Sequence, residues 1–144
     1  MIADEHTITD YIPQRPPMVL IGQLISAVDK KTVTSLTIRP ETLFTEDGSF
    51  TEPGLIENMA QTAAAGAGYR ARAQGQAPSP GFIGGIRNLK IHFLPRVGDE
   101  ILTEATVEHE VMNATVVLAK VKRGSALIAE CEFKIFLMNP NPPA

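Results

Sequence analysis

Glu57 and Gln61 stand four residues apart in "PGLIENMAQTAAAGAGY", residues 53–69. On a helix that spacing puts a carboxylate and an amide on one stripe, which Ala64 and Gly68 continue. A carboxylate facing an apolar interior without a partner is costly, so Glu57 must be hydrogen-bonded, protonated or beside a cavity. In such a place it can serve as one half of an acid/base pair acting on a bound substrate. The plain alternative is a residue near the helix start, favoured by the helix dipole and exposed to water. The three histidines, His6, His92 and His109, are dispersed, and with the lone Cys131 they give no structural zinc spacing and no intramolecular disulfide. Neither a metal nor a cofactor is expected.

The chain of 144 residues, 44% hydrophobic, suffices for one domain with a sizeable core. Its net charge is −3, and the 13 Lys and Arg residues form no arm or block, which argues against nucleic acid as a partner. The start "MIADEHTITDY" has neither a basic nor an apolar leader region, and no stretch approaches the roughly 18 apolar residues of a membrane span. A cytoplasmic location without a membrane span is therefore expected.

The elements that must position Glu57 follow from periodicity. Residues 1–17 read as an irregular lead-in, held extended at "IPQRPP". "MVLIGQLISAV" and "KTVTSLTI" read as a hairpin turning at "DKK". Residues 39–52 are polar and turn-rich, and the helix begins at Pro53 with Thr51 or Glu52 as its cap. It fades by "QGQAPSP". Four strand candidates follow: "GFIGGIRNLKIHFL", "EILTEATVEHEV", "ATVVLAKVKR" and "ALIAECEFKIFLM". The last places Leu127, Ala129, Cys131, Phe133, Ile135 and Leu137 on one face, and Glu130, Glu132 and Lys134 on the other.

The order is two strands, one long helix and four strands, an α+β arrangement in which an antiparallel sheet with one buried face wraps a single central helix. The small residues Ala60, Ala63, Ala64, Ala65, Gly66, Ala67 and Gly68 suit an enclosed helix. A helix-interior glycine costs about 0.5–1 kcal/mol relative to alanine, so Gly66 and Gly68 need a packing reason. The expected domain is 1–138, and 139–144, "NPNPPA", reads as a disordered tail.

"IENMAQTAAA" resembles the central-helix motif of the hotdog-fold 3-hydroxyacyl-acyl carrier protein dehydratases, Glu-x-x-Ala-Gln soon after Pro-Gly. "YIPQRPPMVLIGQLI" is similar to their opening, Pro-x-Arg-x-Pro before the first strand, and "GFIGGIRNLKIHFLPRVGDEILTEATV" to their third and fourth strands. The similarity spans roughly residues 11 to 137. It implies a hotdog fold, dimers, and an acyl chain held along the helix. It also implies catalytic roles for Glu57 and the supporting Gln61, with Gly54 offering a backbone N–H to the thioester carbonyl and Gly84 and Gly85 as further substrate-binding positions.

The resemblance breaks at one place. Where those dehydratases have a Gly-His-Phe-Pro-Gly loop whose histidine acts with the carboxylate of the opposite subunit, this chain has the shorter "DGSFTEPGLIE", with Ser49 at the histidine position; Gln14 replaces another common histidine. Removing water from a 3-hydroxyacyl thioester needs a base for the α-proton and an acid for the hydroxyl, and Ser49 cannot be that base. The shortened loop resembles a branch from aryl polyene and flexirubin-type pathways.

Three readings stand. The chain is a dehydratase (a hydro-lyase) of fatty acid or polyene-type biosynthesis with weak or rearranged chemistry, a non-catalytic subunit paired with an active dehydratase, or a hotdog thioesterase using Glu57. In each, the expected partners are an acyl carrier protein or coenzyme A thioester and a second subunit in a homodimer, higher oligomer or heteromer.

Overall fold

The computed structural model describes residues 1–77 and 81–137, so the expected tail at 139–144 lies outside the described residues. Strands β1 (Gln23–Val28) and β2 (Lys31–Thr37) form the first hairpin. A two-residue turn joins them, with Asp29 and Lys30 at φ 51° and 67°, the twist that suits a tight hairpin. The polar stretch after β2 holds a second, minimal hairpin, β3 (Thr45–Glu46) and β4 (Ser49–Phe50), closed by Asp47 and Gly48 at φ 51° and 78°. Helix α1 runs Glu52–Ala73, and the chain returns as β5 (Gly81–Ile91), β6 (Glu100–Val111), β7 (Ala114–Arg123) and β8 (Ala126–Leu137).

Six of these strands make one antiparallel sheet in the order β1-β2-β6-β7-β8-β5, and α1 packs across β1, β2, β6 and β7. Leu55 and Met59 of the helix, with Phe50 below its N-terminus, meet Ile101, Ala119, Val121 and Phe133 in the main core. This is the hotdog arrangement.

Thr51 occupies the N-cap position, as its type suggests, yet its hydroxyl donates to the Phe44 carbonyl at 2.6 Å and leaves the helix N–H groups uncapped by it. The two helix glycines have the packing reasons their cost demands. A Cβ on Gly66 would collide with the Thr32 hydroxyl, and one on Gly68 with the Tyr11 carbonyl.

Two expectations change in detail. The lead-in is less irregular than its prolines imply: Ala3, Ile8 and Ile12 are buried with Ile21, Leu24 and Ala65 in a second core cluster, and Ala3 pairs with Leu24 along the outer edge of β1. On β8 the alternation slips where the β7–β8 register shifts, so that Ile128 is 0% exposed while Leu127 is only half-buried.

Candidate functional site

Gln61 is 0% exposed, and every hydrogen-bonding group of its amide is used. Oε1 accepts from the Leu20 N–H at 2.8 Å, and Nε2 donates to the Met18 carbonyl at 2.7 Å and to Glu57 Oε2 at 2.9 Å. A peptide N–H requires an acceptor and a peptide carbonyl a donor, so these partners settle which way the amide points. Glu57 therefore has one carboxylate oxygen held by a donor, while Oε1 has no protein partner among the described residues.

Glu57 is half-buried on the wall of a groove of about 730 Å³ that follows one stripe of α1 through Ala60, Ala64, Ala67 and Ala71. Tyr11, Gln14 and Arg15 of the lead-in form one side, and Phe82, Ile83 and Ile135 from β5 and β8 the other. The expectation of a helix covered on every side is thereby corrected: the alanine stripe floors an open channel, and Ala67 is exposed. The physical reason is the sheet order, which puts β5 at an edge, where it forms a wall of the groove without closing over it. A second cavity of about 530 Å³, lined by Asp4, His6, Arg39, Glu100 and neighbours, contains none of the candidate site residues.

Of the remaining candidates, Ser49, Gly84 and Gly85 lie on other elements than Glu57, and Gly54 stands one turn before it on α1. Ser49 sits on the β3–β4 hairpin and accepts from Arg96 Nη1 at 2.9 Å, and the hairpin is fastened to the Pro95–Val97 turn by backbone bonds. Gly54 is buried in the first turn of α1 against the Phe50 ring, where its N–H has no carbonyl one turn back within the helix. Gly84 leaves room for the Phe136 ring, and Gly85 stands in open space on the edge strand. None of these four residues lines the groove.

Three arginines of α1 and β5 have distinct surroundings. Arg72 lies 5.5 Å from the centre of the Tyr11 ring, Arg87 is 3.9 Å from Glu132, and burial holds the Arg70 guanidinium below its usual pKa against the opposing pull of Glu110.

Asn58 was not singled out by type or spacing, although a polar residue three positions before Gln61 in an apolar run was a signal. It is 0% exposed, donates to the Leu20 carbonyl at 2.8 Å and accepts from the Thr103 hydroxyl at 2.5 Å.

Comparison with known proteins follows the same lines. The fold is similar to a chain of the dehydratase heterocomplex ApeI:P from Xenorhabdus doucetiae, with TM-score 0.84 and 18% identity over 92% of this chain and 91% of that one. It is also similar to an uncharacterised protein of Pyrococcus horikoshii, TM-score 0.70 and 15% identity over 92% and 94% of the two chains. A hypothetical thioesterase from Streptococcus pneumoniae, solved with coenzyme A, has TM-score 0.68 and 10% identity over 81% and 85%. No curated protein sequence matches the chain. The family described as ApeP-like, ApeP dehydratase, matches residues 6–142, and the chain belongs to that family.

Proposed function

We propose that this chain is a subunit of a dehydratase acting on 3-hydroxyacyl thioesters, in which Glu57 supplies the acid and a partner subunit supplies the base. The observation that carries this reading is the Glu57 carboxyl: Gln61 holds one of its oxygens, and the side chain lies on an alanine-floored groove suited to an acyl chain. In the reaction a base removes the proton from C2, the C2=C3 bond forms as the C3–O bond breaks, and Glu57 delivers its proton to the departing hydroxyl as water. Among the described residues no histidine lines the groove, and Ser49 is bonded to a cation that cannot take a proton. The base must come from elsewhere.

The partner's place is the β5 edge. Gly81–Ile91 forms an eleven-residue edge strand on which Phe82, Ile83, Ile86 and Leu89 are 54%, 40%, 41% and 42% exposed, whereas the opposite edge at β1 is bridged by Ala3. A long apolar edge without a partner is an aggregation hazard in a monomer and an interface in an oligomer. The similar fold in the ApeI:P heterocomplex supports a second dehydratase subunit as the partner. Carriage of the acyl group by an acyl carrier protein or coenzyme A belongs to the same reading.

The test is to assay the chain alone and co-purified with such a subunit against a 3-hydroxyacyl pantetheine thioester. Enoyl product from the pair, lost when Glu57→Gln is introduced, supports the proposal. Undiminished turnover in the Glu57→Gln pair overturns it. Release of free acid points to a thioesterase, and a pair whose activity ignores Glu57 to a non-catalytic subunit.

A further inference from the structure

Two side chains of α1 treat the segment Met18–Leu20 as a neighbouring strand would. Leu20 is 1% exposed, and both polar groups of its backbone end on helix amides: its N–H on Gln61 Oε1 at 2.8 Å, its carbonyl on Asn58 Nδ2 at 2.8 Å. Asn58 is fastened on its other side by the Thr103 hydroxyl of β6. Position 58 is one of the unspecified places in the Glu-x-x-Ala-Gln pattern, and its side chain touches neither Glu57 nor the groove.

We propose that Asn58 is a positioning residue for Glu57. The path is Thr103, Asn58, the Leu20 backbone, the Gln61 amide and finally Glu57 Oε2, which leaves Oε1 without a protein partner among the described residues. The proposal rests on the reading of Glu57 as the acid of the groove. Its physical basis is that the links from Thr103 to Gln61 are buried, and the last one, to Glu57, is part-buried. If Asn58 is removed, the Leu20 carbonyl becomes a buried acceptor without a donor, which costs on the order of 1–3 kcal/mol. The segment relieves that cost by shifting, and the shift draws the Leu20 N–H away from Gln61. The Gln61 amide then has a broken partner at its oxygen and is free to turn from Glu57. A catalytic group displaced by about 1 Å loses on the order of 100-fold in rate.

The experiment compares Asn58→Leu and Thr103→Val with the parent, both as purified chain and in the active complex. In the purified chain, the side-chain amide signals of Gln61 are followed by NMR as pH is lowered through the carboxylate range. In the parent they respond to protonation of Glu57, and Glu57→Gln removes that response. The expected result is that Asn58→Leu abolishes the response and Thr103→Val weakens it. In the complex, Asn58→Leu lowers kcat roughly 10- to 100-fold with KM within about twofold, the signature of a misplaced acid with binding intact.

An unchanged Gln61 response together with unchanged kcat in Asn58→Leu overturns the proposal. If that variant does not fold, Thr103→Val decides by the same two measurements. Full activity of Glu57→Gln would remove Glu57 from the mechanism, while the NMR response still reports whether Asn58 holds Gln61 against it.

Discussion

Gln61 Nε2 lies 2.9 Å from Glu57 Oε2 and 2.7 Å from the Met18 carbonyl, so one amide nitrogen ties the groove carboxylate to the lead-in chain. Glu57→Gln should therefore lower turnover by about 100-fold or more while leaving the melting temperature nearly unchanged, because glutamine fits the same space. Gln61→Leu should do the reverse in stability: it orphans the buried Leu20 N–H and the Met18 carbonyl, at a cost of about 2–4 kcal/mol in urea denaturation.

Gly68 abuts the Tyr11 carbonyl, a backbone wall that cannot rotate away. Gly68→Ala should cost roughly 1–3 kcal/mol despite the better helix propensity of alanine, since the added methyl must push the lead-in outward. Gly66→Ala should cost less, because the added methyl meets side-chain atoms of Thr32 and not backbone. Thermal unfolding of the two variants side by side checks the order.

Ser49 accepts from Arg96 at an exposed site. Ser49→Ala should leave turnover of the complex within about twofold, since the lost bond is a modest, exposed one. A loss of 100-fold would return Ser49 to the chemistry.

Ile86 is 41% exposed on the free edge of β5. Ile86→Lys should shift the protein toward monomer in analytical ultracentrifugation, because a lysine on an edge strand opposes pairing with another strand. Turnover that needs a partner should fall with it.

Burial pushes the Cys131 thiol from 9.0 up to about 12. At about pH 8 the native protein should resist alkylation, with modification appearing on unfolding. The sign of the pH effect follows from linkage: above pH 9 the unfolded chain ionises its thiol while the folded chain retains the proton, so stability is intact below 9 and falls as pH rises toward 12. Cys131→Ala should flatten that decline in urea midpoints.

Much of the fold was legible because its signals are local. Period-two alternation, turn residues at Asp29-Lys30 and Met112-Asn113, and Pro53 near a helix start mark elements without reference to anything distant. The β3–β4 hairpin escaped notice because two-residue strands have no periodicity, and Ile128 because a register shift is a property of two strands together.

The site divides in the same way. Glu57 and Gln61 were visible as an i, i+4 pair, since helix geometry alone puts their side chains on one stripe. That Gln61 would spend its remaining groups on Met18 and Leu20, some 41 to 43 positions away, was not visible. Nor was the recruitment of Asn58 to the same segment, or the bond from Arg96 that holds Ser49.

The amino-acid sequence by itself determined the element order, the small-residue helix and the presence of a carboxylate with an amide one turn on, because each depends on residues within a few positions of one another. Only the tertiary structure decided which oxygen of Glu57 is held and that β5 is left as the open edge. Those are set by hydrogen bonds and strand order between segments far apart in the chain, where spacing carries no information.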